Sequence, residues 1–115
     1  MREVVFYKTV SGECPVREFL DSLPGKAAQK VVWVLILLEE LDVLPANYFK
    51  KLHGSDEIWE CRVQFGSAAY RIFCFFAGRS VVVLTHGMTK KVQKTPRREI
   101  ERAEDFRKDY LRRKS

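Results

Sequence analysis

Two arginines, one histidine and a run of lysines are the residue types in this chain best suited to work on a phosphate. Arg62 falls on a polar position of an alternating segment, Arg71 lies in the strand-like segment after it, His86 follows the next hydrophobic run, and Lys90, Lys91 and Lys94 come soon after it. Arginine's planar fork matches two oxygens of a phosphate, and an imidazole can give or take a proton near neutral pH. The set suits a phosphodiester. Cleaving RNA requires an in-line attack by the neighbouring 2′-hydroxyl, a base for its proton, stabilisation of the charged phosphorane and an acid for the leaving 5′-oxygen. A metal is not essential to that scheme. His86 is the natural acid or base in the set, while Arg62, Arg71 and the lysines would hold the negative charge.

Whether these side chains meet depends on strand register. In Ile58 to Phe65, Trp59, Cys61, Val63 and Phe65 alternate with Glu60, Arg62 and Gln64, giving one apolar and one polar face. Gly66-Ser67 reads as a two-residue turn with Gly first, which sets Arg62 opposite Arg71 and Val63 opposite Tyr70. Gly78-Arg79 has the same form, and counting outward from it sets Arg71 opposite His86. The expectation is a transverse row, Arg62, Arg71 and His86, on one face of three antiparallel strands, with Tyr70 on the other face. A slip of one residue in either loop destroys the row. The competing reading is structural: Glu60, diagonal to Arg71, forms a surface ion pair with it, and His86 is a hydrogen-bonded turn residue.

The elements around this sheet follow from local signals. Glu3 to Val10 is rich in β-branched and aromatic residues and reads as a strand. Pro15 suits a first helical position, and Val16, Phe19, Leu20 and Leu23 form an apolar stripe. Pro24-Gly25 breaks that helix. Lys26 to about Leu44 reads as a second helix buried on much of its surface, packed as an antiparallel hairpin with the first. Pro45 to Asp56 is a connection exposing Lys50, Lys51 and His53. After Thr85 the chain leaves the sheet through Gly87 and Met88. Thr95 is a fair N-cap and Pro96 a good first residue for a last helix buried through Ile100, Ala103, Phe106 and Tyr110. The fold class is α+β: an N-terminal strand and two-helix hairpin packed on an antiparallel sheet of about four strands, then a C-terminal helix.

At 115 residues the chain is expected to form one domain. Hydrophobic residues at 46% and charged residues at 31% place it among globular rather than disordered chains. The longest apolar run, Val31 to Leu38, is far short of the roughly 20 residues a membrane helix needs, and no signal peptide is visible. Cys14, Cys61 and Cys74 have no CxxC spacing and fit a reduced, cytoplasmic protein. With two histidines and no Cys/His spacing, neither zinc nor another cofactor is expected. Residues 89–115 hold eleven Lys/Arg against five Asp/Glu, whereas residues 1–88 balance, so the whole net charge of +6 sits in the last quarter. That distribution points to a polyanion or an acidic protein partner.

The ordered set Lys51-Leu52, Ile58-Trp59-Glu60-Cys61-Arg62, Tyr70-Arg71-Ile72, Leu84-Thr85-His86-Gly87-Met88-Thr89-Lys90-Lys91 and Gln93-Lys94-Thr95-Pro96, followed by a charged helix, resembles the phage-derived HigB-like toxins of the RelE/ParE superfamily. The resemblance covers nearly the whole chain, and its most specific part is the KKxxKTP segment. It implies a toxin of a type II toxin–antitoxin system that cleaves mRNA on the ribosome and is neutralised, as a hetero-oligomer, by a helix-turn-helix antitoxin. Members of the superfamily typically use scattered basic residues for catalysis. Carried onto this sequence, the implied catalytic set is Arg62, Arg71, His86 and Lys91, with Lys51, Lys90, Lys94, Arg97 and Arg98 binding RNA. Cys61, where a larger aliphatic is expected, and Met88, where an aromatic is common, depart from the pattern. The superfamily also contains gyrase poisons, so a non-enzymatic gyrase inhibitor or a nucleic-acid-binding module is the alternative.

Overall fold

The odd-numbered residues of Trp59–Phe65 are apolar and the even-numbered ones polar, and in the folded chain the two sets face different layers. A computed structural model describes residues 1–90 and 94–114. Its elements are β1 (Glu3–Phe6), α1 (Pro15–Ser22), α2 (Gly25–Glu40), β2 (Phe49–Lys51), β3 (Trp59–Phe65), β4 (Ala68–Phe76), β5 (Val81–Lys90) and α3 (Arg97–Lys114). The class is α+β, with one five-stranded sheet in the order β1-β5-β4-β3-β2.

Two features depart from the expected sheet of about four antiparallel strands. β1 lies parallel to β5, Val4 beside Val82 and Phe6 beside Leu84. Phe49–Lys51, expected in a connection, pairs antiparallel with Trp59–Cys61 and makes the fifth strand. Three residues with two adjacent lysines carry too short a pattern to read as a strand.

Cys61, Val63, Tyr70, Ile72 and Leu84 bury one face of the sheet under α1 and α2. In α2 the buried residues are Ala27, Val31, Val34, Leu35 and Leu38, a spacing of one helix face, whereas Val32, Trp33 and Ile36 remain 42–45% exposed. The run VVWVLILL is therefore one-sided, not buried on much of its surface, and the helix stops at Glu40. Its free C-terminal carbonyls have a partner in Arg2, whose Nη1 donates to Leu38 O at 2.9 Å. On the other face, Phe73, Phe75 and Val83 pack with Ile58, Tyr7 and Ala103 of α3.

The hairpin from β3 to β4 has the expected register, Arg62 opposite Arg71 and Val63 opposite Tyr70, around Gly66 with φ 60°. The hairpin from β4 to β5 does not. Ala77 N donates to Val81 O, so Gly78, Arg79 and Ser80 form a three-residue loop, and Phe76 pairs with Val82. A bulge then pairs Phe73 with His86 but Cys74 with Leu84, leaving Thr85 as the extra residue. The loop and the bulge each displace the register by one. The two together return His86 to the expected face but one row away: Arg71 faces Met88.

β5 also runs on past Thr85 to Lys90, where the chain was expected to leave the sheet. Gly87 is what allows α1 to seat there, because a Cβ at that position would lie 2.4 Å from Phe19 Cδ2. Gly87→Ala is expected to destabilise the fold by about 1–3 kcal/mol through overpacking, read as a lower urea midpoint with an unchanged m-value.

Candidate functional site

The even face of β3 brings Glu60 and Arg62 beside Phe73 and Arg71 of β4. α3 covers Phe73 and Phe75 but stops short of the row beyond, and the space left open is a groove of ≈ 200 Å³. Lys50, Lys51, Glu60, Arg62, Lys90 and Lys94 line it, with Thr95 and Ile100 forming the wall on the α3 side. Five cations thus surround one carboxylate.

Glu60 is the organising group. It is only 3% exposed, and its Oε1 lies 3.5 Å from both Arg62 Nε and Arg71 Nε. Its Oε2 accepts a hydrogen bond from Thr95 Oγ1 at 3.1 Å. The expected surface ion pair is thus a buried bridge holding both arginines. The helix begins at Arg97, one residue later than expected, so Thr95 is turned to Glu60 and is not its N-cap, and Pro96 O accepts from Glu99 N and Ile100 N. Arg71 is itself 7% exposed; Nη1 donates to Tyr70 O at 3.0 Å, and Nε has no hydrogen-bond partner among the described residues. Burial, and to a lesser degree Arg62, lowers the Arg71 pKa against the opposing pull of Glu60. Arg62 is the more accessible of the pair, its side chain 30% exposed.

Lys90 sits opposite Ala69, on the same face as Arg71. Its pKa is lowered by burial first and then by Arg71, with Glu60 opposing and Arg62 and Lys50 adding to the effect. Its ammonium is therefore a readier proton donor than an ordinary lysine.

His86 is in the neighbouring row and does not line the groove. It is 1% exposed, stacked on Phe73 at 4.8 Å between ring centres and edge-on to Phe106 at 5.7 Å. Its Nε2 lies 3.1 Å from Glu99 Oε1 and its Nδ1 3.1 Å from Thr85 Oγ1. Thr85 Oγ1 in turn donates to Phe73 O at 3.2 Å. The expected row of Arg62, Arg71 and His86 is thus corrected: the longer loop after β4 and the bulge at Thr85 together give the third place to Met88.

Burial, with a contribution from Arg102, lowers the His86 pKa from 6.5 to about 4, against the opposing effect of Glu99. Across that window the unfolded chain takes up a proton here and the native chain does not. Stability therefore falls as pH drops from 6.5 towards 4, by on the order of 3 kcal/mol for this group. Urea midpoints measured at pH 7 and at pH 4.5 should show the drop, and His86→Gln should reduce it.

Of the other expected residues, Lys51 and Lys94 line the groove and Lys91 lies outside the described residues. Arg97 turns to Glu101 and to Gly54 O, and Arg98 is exposed on α3; neither lines the groove. Lys50, His53, Glu60 and Thr95 join the site without having been assigned to it. Lys50 carried no sequence signal, because only the pairing of β2 with β3 sets it opposite Glu60 and on the same face. Cys61 and Cys74 are buried in the opposite face, where burial pushes the Cys74 thiol well up. Among the described residues no group of three or more His, Cys, Asp and Glu side chains could hold a metal ion, and no helix is long and apolar enough to cross a membrane.

The arrangement can bind an oxyanion beside arginines that Glu60 already holds, with lysines around them. Residues 18–108 match the family model described as "Phage derived protein Gp49-like (DUF891)". Among curated proteins no match was found.

Proposed function

The chain belongs to the Gp49-like family of phage-derived proteins, a family related to the RelE and HigB toxins, and from that premise we propose that it is the toxin of a type II toxin–antitoxin pair, acting as an endoribonuclease on mRNA. The observation that carries this reading is the groove, in which Lys50, Lys51, Arg62, Lys90 and Lys94 surround the single carboxylate of Glu60. A phosphodiester seated there would meet Arg62 first. Arg71, behind it, adds positive charge at the phosphorane and is held in place by Glu60. Lys90, with its lowered pKa, is assigned the proton for the leaving 5′-oxygen. The attacking group is the RNA's own 2′-hydroxyl, whose proton passes to the His53 imidazole that also lines the groove, so the scheme calls for no metal or other cofactor. His86, tied to Glu99 and Thr85, anchors α3 beside the site. Its partners would be mRNA on the ribosome and a helix-turn-helix antitoxin.

The test is brief induction in growing bacteria with a reporter transcript followed directly. Shortened reporter mRNA without a DNA-damage response is expected. An intact transcript with a DNA-damage response would replace this reading with gyrase inhibition.

A further inference from the structure

A second opening lies on the other side of Arg62. β2 pairs only with Trp59–Cys61, and after Arg62 N donates to Tyr48 O at 2.7 Å the outer edge of β3 has no strand beside it. The pocket of ≈ 370 Å³ at that edge is lined by Lys30 of α2, Asn47, Tyr48, Gln64, Arg62 and Arg71. Arg62 lines both this pocket and the groove, so a ligand can run from one to the other past a single guanidinium.

The lining differs in chemistry from the groove. Two primary amides, one phenol and one ammonium replace the cluster of lysines. Gln64 Nε2 donates to Gly66 O at 3.0 Å, which fixes the amide and leaves Oε1 as a free acceptor. Asn47 is exposed and carries both a donor and an acceptor. Tyr48 is held edge-on to Trp33 at 6.1 Å, and Lys30 lies over the Trp33 ring at 4.7 Å. Paired amides read the edges of unpaired bases, and aromatic faces stack on them.

We infer that this pocket is a nucleobase subsite, holding the base of a nucleotide next to the phosphate bound at Arg62. The inference rests on reading the groove as an RNA phosphate site. A fixed acceptor at Gln64 Oε1 favours bases that carry an exocyclic amine over uracil, which has none.

The experiment has two arms. In the first, a randomised RNA is cut by the wild-type protein under the conditions that support cleavage, and the nucleotides flanking each cut are sequenced. The wild type should disfavour uridine at one flanking position by about tenfold. The double variant Asn47→Ala, Gln64→Leu should lose that preference and still cut. A wild type with no preference, or variants that keep it, would overturn the inference. In the second arm, the side-chain amide resonances of Asn47 and Gln64 are followed by NMR as tetra-adenylate or tetra-uridylate is added. They should shift at about tenfold lower tetra-adenylate. Shifts without any cleavage would leave the subsite standing and remove the nuclease reading, whereas unmoved resonances would remove the subsite even if the protein cleaves.

Discussion

Arg62→Ala is expected to lower the rate of RNA cleavage by about 10²–10³-fold, the scale of losing one fixed donor to a developing anion. The fold should survive, because the Arg62 side chain is 30% exposed and makes its ion pair at the rim of the groove. Unchanged urea midpoint with lost activity would separate chemistry from folding. Arg62→Lys keeps the charge but not the fork and should recover only part of the rate. If Arg62→Ala arrested growth and cut RNA as well as the wild type, the groove would not be the site.

Glu60→Ala should act differently, lowering stability by about 3 kcal/mol, because it strips the partner from a buried guanidinium. Arg71 is 7% exposed and has no other carboxylate in contact among the described residues, so its charge would be left without compensation. The same change releases Thr95, and with it one of the two ties between the sheet and the start of α3, leaving that of His86 to Glu99. Glu60→Gln keeps an acceptor for Thr95 and the shape of the site, so its loss should be smaller. Denaturant melts of the two variants measure the difference; a Glu60→Ala protein as stable as the wild type would mean that the bridge contributes nothing.

Much of the architecture was legible because it is local. The alternation in β3 and the Gly66-Ser67 turn set Arg62 opposite Arg71 with no tertiary information. The stripes of α1 and α3 followed from helical spacing, whereas the apolar run of α2 hid that only one of its faces is buried. What could not be read is non-local or sits in single residues. The parallel pairing of β1 with β5 joins segments separated by all the other strands and two helices. The bulge at Thr85 has no composition of its own, and it helped to move His86 out of the arginine row. Together with the one-residue longer loop after β4, it preserved the face and changed the neighbour, so the sequence pattern looked consistent either way. Glu60 was seen as a surface partner of Arg71 because alternation reports a face, not depth; only the packing of α3 shows that the carboxylate is buried.

The most direct test of the central claim is the chemistry of the RNA ends. The purified protein is incubated with mRNA on programmed ribosomes in the presence of excess chelator, and both new termini are mapped. Attack by the 2′-hydroxyl predicts a 2′,3′-cyclic phosphate on one fragment and a 5′-hydroxyl on the other, both lost with Arg62→Ala. Intact mRNA, or fragments with 5′-phosphate ends that persist in Arg62→Ala, would contradict the assignment of the groove as a phosphodiester-cleaving site.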